Sequence, residues 1–280
     1  MIFPLLATII SAINAVWEKT IYNHKRTRYK TFVFFSFLFA FFIISIFFYP
    51  FLGEIKQGAF SFWMIIALLA IILTASLRNV LFYSGFQREG LSEIQPFLVF
   101  SPLLTILVAS VLYPDERNLY VLALAIFAGL VLILSHLEKK HLKFDKGLVP
   151  IMGAVLLEAV ENNITKELLY FYSPTALYTL RIGLVSLVLF FFLKPTIKDM
   201  TKKEIGKILL ASLMWVLVMI FYYTGFQQLG VVQTVLICMM GPFLVVLGSY
   251  TVLKEKRIRK RDIIALVIII GCVIASQFLK

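Results

Sequence analysis

A chain of 280 residues has room for one or two soluble domains, but 61% hydrophobic residues, 27 phenylalanines and a mean hydropathy of +0.93 exclude a water-facing surface and define a membrane protein. Charged residues make up only 15% of the chain and fall in short bursts between apolar stretches long enough to cross about 30 Å of hydrocarbon. The net charge of +12 does not point to nucleic acid, because the basic residues are dealt out to connecting segments instead of gathering on one face; that pattern suits topology-setting charge against anionic lipid headgroups.

Apolar periodicity and the polar breaks predict ten helices, over 2–22, 31–50, 61–84, 91–112, 119–136, 148–168, 173–193, 206–228, 231–253 and 262–279. The longest polar connections, Leu137 to Gly147 and Lys194 to Gly206, are too short to fold alone. The first apolar run has neither a basic region before it nor a convincing cleavage site after it, so it is expected to be a retained span. Cys238 and Cys272 lie in apolar spans without CxxC or metal spacing; no disulfide, metal or other cofactor is expected.

Lysine and arginine positions predict the orientation. Loops after helices one, three, five, seven and nine carry twenty of them, from Lys25 to Arg261, against four on the other side (Lys56, Arg117, Lys166 and Lys280). Cytoplasmic loops retain positive charge, so the odd-numbered loops are expected inside the cell and both termini outside.

One stretch occurs twice. Phe82 to Pro102 and Tyr222 to Pro242 both read Tyr-Ser/Thr-Gly-Phe-Gln, then a glycine three residues on (Gly90, Gly230), then a proline deep in an apolar run (Pro102, Pro242). The offset is half the chain, and Asp115 and Arg117 stay in step with Glu255 and Arg257. Duplication follows, with repeats over 1–140 and 141–280. Five helices per repeat is an odd number, so the second copy enters the membrane in the opposite sense. The expected fold is an all-α membrane protein of ten transmembrane helices in two inverted five-helix repeats, an architecture suited to alternating access.

These features resemble the drug/metabolite transporter superfamily, and within it the ten-helix EamA-type transporters, over essentially the whole chain. The residues that carry the resemblance are Lys19 and Lys166 near the ends of the helices opening each half, Leu180-Arg181-Ile182-Gly183, the Tyr-x-Gly-Phe turns at Tyr83 and Tyr223, Pro102 and Pro242, the pairs Glu116-Arg117 and Glu255-Lys256, and Gly129 and Gly271. Two departures stand out. Phe34 occupies the place of Arg181 in the first half, and helix six carries a polar run, Glu158 and Glu161-Asn162-Asn163, that is not a general family feature. The resemblance implies transport of a small metabolite such as an amino acid or a cation, and leaves the substrate open.

Ionisable groups at the bilayer centre are costly and mark candidate sites. Glu158 lies about 15 Å into helix six at 1.5 Å per residue, and Glu161, three residues on, shares its face. Two carboxylates there suit proton handling or attraction of an organic cation; the alternative is a structural pair neutralised by Arg181, at similar depth in helix seven. Arg181 itself suits either a substrate carboxylate or that balancing role. Arg78 is expected to snorkel to the interface, and Glu18 and Lys19 to serve as gate or interface residues. Asn14 takes the place of Glu161 when Lys19 is laid over Lys166, so the two face one cavity or make interhelical hydrogen bonds. Asn162 belongs to the same polar run. Trp17 and Trp215, with Tyr83, Tyr178, Tyr222 and Tyr223, form a candidate aromatic wall or packing layer. Glu93, Gln95 and Gln233 read as helix starts, and Pro96, Pro102 and Pro242 as gate or hinge positions in helices four and nine.

The function expected is secondary active transport of a small polar metabolite, an amino acid or organic cation, across the cytoplasmic membrane by alternating access, with proton coupling as an option. The partners are that small molecule and the lipid bilayer, with no nucleic acid, in a monomer or homodimer. A channel or lipid-handling accessory subunit is the alternative. A membrane enzyme is less favoured, since His24, His136 and His141 all lie in or beside the basic loops and no metal spacing exists. No P-loop is present for primary pumping.

Overall fold

The computed structural model describes residues 1–22, 29–88, 97–98, 100–116, 118–136, 148–195, 201–253 and 260–278. These residues are helical almost throughout, as a chain in lipid must be when every backbone N–H and C=O has to be satisfied within its own segment. In order the helices are α1 (Ile2–Tyr22), α2 (Tyr29–Ile43, continued by a π-helical stretch Ile44–Phe48 and a last turn Tyr49–Leu52), α3 (Phe62–Arg88), α4 (Phe100–Leu112), α5 (Leu119–His136), α6 (Leu148–Leu168), α7 (Pro174–Leu193), α8 (Lys202–Cys238), α9 (Gly241–Gly248, continued by Ser249–Leu253) and α10 (Lys260–Phe278). Six are long and apolar enough to cross a membrane, and the other four carry shorter apolar cores.

Local signals explain the boundaries. Ser173 caps α7, its hydroxyl accepting from the Ala176 N–H at 3.2 Å, with Pro174 at the first position where its missing N–H costs nothing. Thr201 and Glu204 form a capping box at the start of α8. The predicted boundary between 228 and 231 is a kink and not an end: α8 runs on through Gly230, whose φ of 79° and ψ of 175° suit glycine alone. The helix expected over 231–253 breaks instead at Met239 and Met240, where Pro242 opens a new helix.

α1 packs most extensively against α8, and α3 against α6; α2 lies on α7, α5 on α10, α4 on α6 and α9 on α1. The α1–α8 contact is close enough that a Cβ on Gly225, within the repeated motif, would meet Pro4 Cγ at 2.8 Å. Phe32, Ile71, Ile106, Leu132, Leu168 and Leu177 are fully buried between the helices. Phe42, Leu69, Leu73, Phe192, Ile263 and Val267 stand exposed on the outside, the placement that hydrocarbon surroundings favour. Ile55 and Tyr172 pair as an isolated bridge between the α2–α3 and α6–α7 connections, and the Tyr172 hydroxyl donates to the Ala59 carbonyl at 2.7 Å.

Candidate functional site: a charged cavity and a capped helix break

A cavity of about 330 Å³ opens where α1, α3, α4, α6, α7, α8 and α9 converge, with Phe37 of α2 at its edge. Five charged side chains line it: Glu18, Arg78, Glu158, Glu161 and Arg181. Asn14, Asn79 and Asn162 add amides; Phe82, Tyr83, Tyr178, Trp215 and Tyr222 supply aromatic surface.

Glu161 is the hub of the charges. Its Oε1 pairs with Arg181 Nη2, and its Oε2 lies 3.2 Å from Arg78 Nε. Arg181 also donates to the Tyr223 hydroxyl. The Glu161 and Arg181 side chains are each 3% exposed, so both charges are almost fully dehydrated and depend on one another. Arg78 reaches on to Glu158 Oε1 at 3.6 Å; these two are 20% and 36% exposed and form the wetter end of the network. The Glu161–Arg181 pairing left open by the sequence is formed.

Several residues stand elsewhere than expected. Arg78 does not snorkel: α3 packs on α6 along its length, so the guanidinium meets two carboxylates before it would reach an interface. Glu18 is not at a surface gate but 7% exposed in the cavity wall, accepting from Asn14 Nδ2 at 3.0 Å one helical turn away. Trp17 turns from the cavity to donate its indole N–H to the Lys207 carbonyl at 3.0 Å. Tyr223 sits behind Arg181 and not on the cavity wall. Asn162 lines the cavity and approaches the Thr105 hydroxyl of α4 at 3.4 Å; Trp215, Pro102 and Pro242 also line it. Pro96, Glu93 and Gln95 lie outside the described residues.

A second ionic cluster sits at the end of the bundle away from the basic loops. After the kink at Gly230 the N–H groups of Val231 and Val232 have lost their helical acceptors, and Glu116 takes both, at 3.0 and 2.9 Å. Lys166, at the end of α6, pairs with the same carboxylate and stands 3.7 Å over the Tyr113 ring. The Tyr113 hydroxyl donates to the Asn163 carbonyl at 2.7 Å. A Cβ on Gly230 would lie 2.5 Å from Glu116 Oε1, so the glycine is required by the carboxylate as well as by its own φ. This clasp joins the α4–α5 connection, α6 and the α8 kink. Glu116 and Lys166 were visible in sequence as separate marks of the family resemblance; the kink that brings them together was not.

Helices of membrane-spanning length around a charged cavity define a multi-pass membrane protein. The EamA-like transporter family matches residues 145–277, so the second half of the chain carries an EamA-like transporter domain. A solved crystal structure, described only as that of a protein, superposes with a TM-score of 0.74 over 99% of this chain and 96% of that one. At 13% identity this likeness is one of fold. No curated protein matches the sequence.

Proposed function

We propose that this protein is a secondary active transporter that carries a small polar metabolite, an amino acid or an organic cation, across the cytoplasmic membrane by alternating access. The observation that carries the reading is the cavity: five charged side chains gathered on one cavity among membrane-spanning helices are costly in a bilayer and are kept where they meet a solute. Ten spanning helices in two inverted five-helix repeats, 1–140 and 141–280, supply the moving parts. The packing supports that symmetry, since exchanging the halves turns α1 on α8 into α6 on α3, turns α4 on α6 into α9 on α1, and leaves α2 on α7 and α5 on α10 as they are. In this reading Asn14, Glu158, Glu161, Asn162, Arg181 and Trp215 form the substrate pathway, and Pro102 and Pro242 let α4 and α9 bend. With the basic loops cytoplasmic and both termini outside, the clasp at Glu116 closes the outer end. The chemistry is binding and release, not catalysis.

The test is uptake by purified protein in liposomes, against protein-free vesicles, over a panel of labelled amino acids and amines. Saturable uptake of one compound, reduced at least about tenfold in a folded Glu161→Gln protein, supports the reading. Saturable uptake unaltered by Glu158→Gln, Glu161→Gln and Arg181→Gln removes the pathway; no saturable uptake of any compound removes the transport reading.

A further inference from the structure

The carboxylates of the cavity are not equivalent. Glu161 and Glu158 are served by Arg78 and Arg181, whereas among the described residues no cation stands within salt-bridge reach of Glu18. Around Glu18 the described partners are the Asn14 amide at 3.0 Å and the Tyr83 phenol, both neutral. Asn14 is 2% exposed, and its Oδ1 accepts from nothing among the described residues although it lies in the cavity wall. The α1 side of the cavity therefore carries a carboxyl group without a cation and an idle amide acceptor, while the two arginines stand against the carboxylates of α6. A buried acceptor without a donor is costly, and a buried carboxylate without a cation more so. Both deficits are met by one group, a cation that brings N–H donors. Phe82, Tyr83 and Trp215 line the cavity as well and give an apolar body aromatic surface to lie on.

We propose that Asn14 and Glu18 form an ammonium subsite: the ligand of the cavity carries a primary or secondary ammonium group, held by the Glu18 carboxylate and Asn14 Oδ1. This rests on the reading that the cavity is where substrate binds, and it moves the cationic contact from the α6 carboxylates to α1. A quaternary ammonium has the charge without the N–H donors and satisfies only half of the subsite.

Binding of 2-phenylethylamine, its N,N,N-trimethyl analogue and 3-phenylpropionate to the purified full-length protein, followed by thermal unfolding and calorimetry, tests this. The amine is expected to bind saturably and raise the unfolding temperature, with the trimethyl analogue about tenfold weaker or more, as expected for a lost charge-assisted hydrogen bond. Glu18→Gln is expected to weaken the amine about tenfold or more, and Asn14→Leu to weaken it less. The comparison of amine with trimethyl analogue uses the native chain, so it stands even where a variant fails to fold. Equal binding of both ammonium compounds, undiminished amine binding in folded Glu18→Gln protein, or binding of phenylpropionate alone overturns the subsite. No amine binding at millimolar concentration does the same. Saturable liposome uptake of a compound without an amine overturns it too while leaving the transport reading in place; amine binding without saturable uptake of any compound supports the subsite and removes that reading.

Discussion

Glu161 and Glu116 are both carboxylates with more than one partner, and the difference between those partners separates a charged hub from a clasp. Glu161 is held by two guanidinium groups, the partly exposed Arg78 of α3 and the buried Arg181 of α7, with Arg181 in turn braced by Tyr223. Each of these groups would be stranded without the others, which ties α3, α6 and α7 together. Glu116 is held by one lysine and by two backbone N–H groups that exist as donors only because α8 is kinked at Gly230. Glu116 and Lys166 are 12% and 11% exposed, against 3% each for Glu161 and Arg181. A charged hub of the first kind resists change; a clasp of the second kind can open at modest cost.

The largest effect is expected at the hub. Arg181→Leu leaves Glu161 with an unbalanced buried charge and should cost about 3–5 kcal/mol, read as a lowered unfolding temperature in detergent. The double variant Arg181→Leu/Glu161→Leu should recover much of that loss, because removing both charges also removes both dehydration costs. A double variant no more stable than the single one would break the contrast with the clasp.

At the clasp, Glu116→Ala leaves the Val231 and Val232 N–H groups and Lys166 without their acceptor and should cost about 1–3 kcal/mol. The more informative readout is access. Cys238 lines the cavity, so in a Cys272→Ala background a membrane-impermeant maleimide applied from the clasp side should modify Cys238 faster when Glu116 is replaced. Unchanged labelling would mean the clasp closes nothing. Gly230→Ala should cost a similar amount, about 1–3 kcal/mol, because its φ and ψ belong to glycine and the new Cβ displaces Glu116. The smallest effect is expected at Trp17, which lies outside the cavity. Trp17→Phe removes its bond to the Lys207 carbonyl and should cost about 1 kcal/mol of stability without altering ligand affinity.

Much of the fold was legible from residues alone. Most of the helices stand where apolar runs and polar breaks put them, because in lipid a long apolar run has few alternatives to a helix, but the break expected at 228–231 falls at Met239 and Met240. The depths of Glu158, Glu161 and Arg181 were legible for the same reason, rise per residue being constant. Less legible was which way a side chain turns on a helix that is apolar nearly all round. Arg78 sits six residues from the expected end of its helix, within snorkelling reach; only the packing of α3 on α6 makes the inward ion pairs the better choice. Glu18 and Trp17 are adjacent, and the sequence does not say that one faces the cavity while the other faces Lys207. The Gly230 kink was visible only as a repeated glycine, since its partner Glu116 lies more than a hundred residues away.

The central claim, that the two halves carry solute by alternating exposure of one cavity, is tested most directly by counterflow in liposomes. Vesicles holding the purified protein are loaded with a high concentration of an unlabelled compound that passes the uptake panel, then diluted into a trace of the same compound labelled. A carrier with one alternating site predicts a transient overshoot, with internal label rising above its equilibrium level before it decays, and no overshoot in vesicles without protein. Monotonic equilibration without overshoot, at a rate that does not saturate, would contradict alternating access and make the cavity a pore.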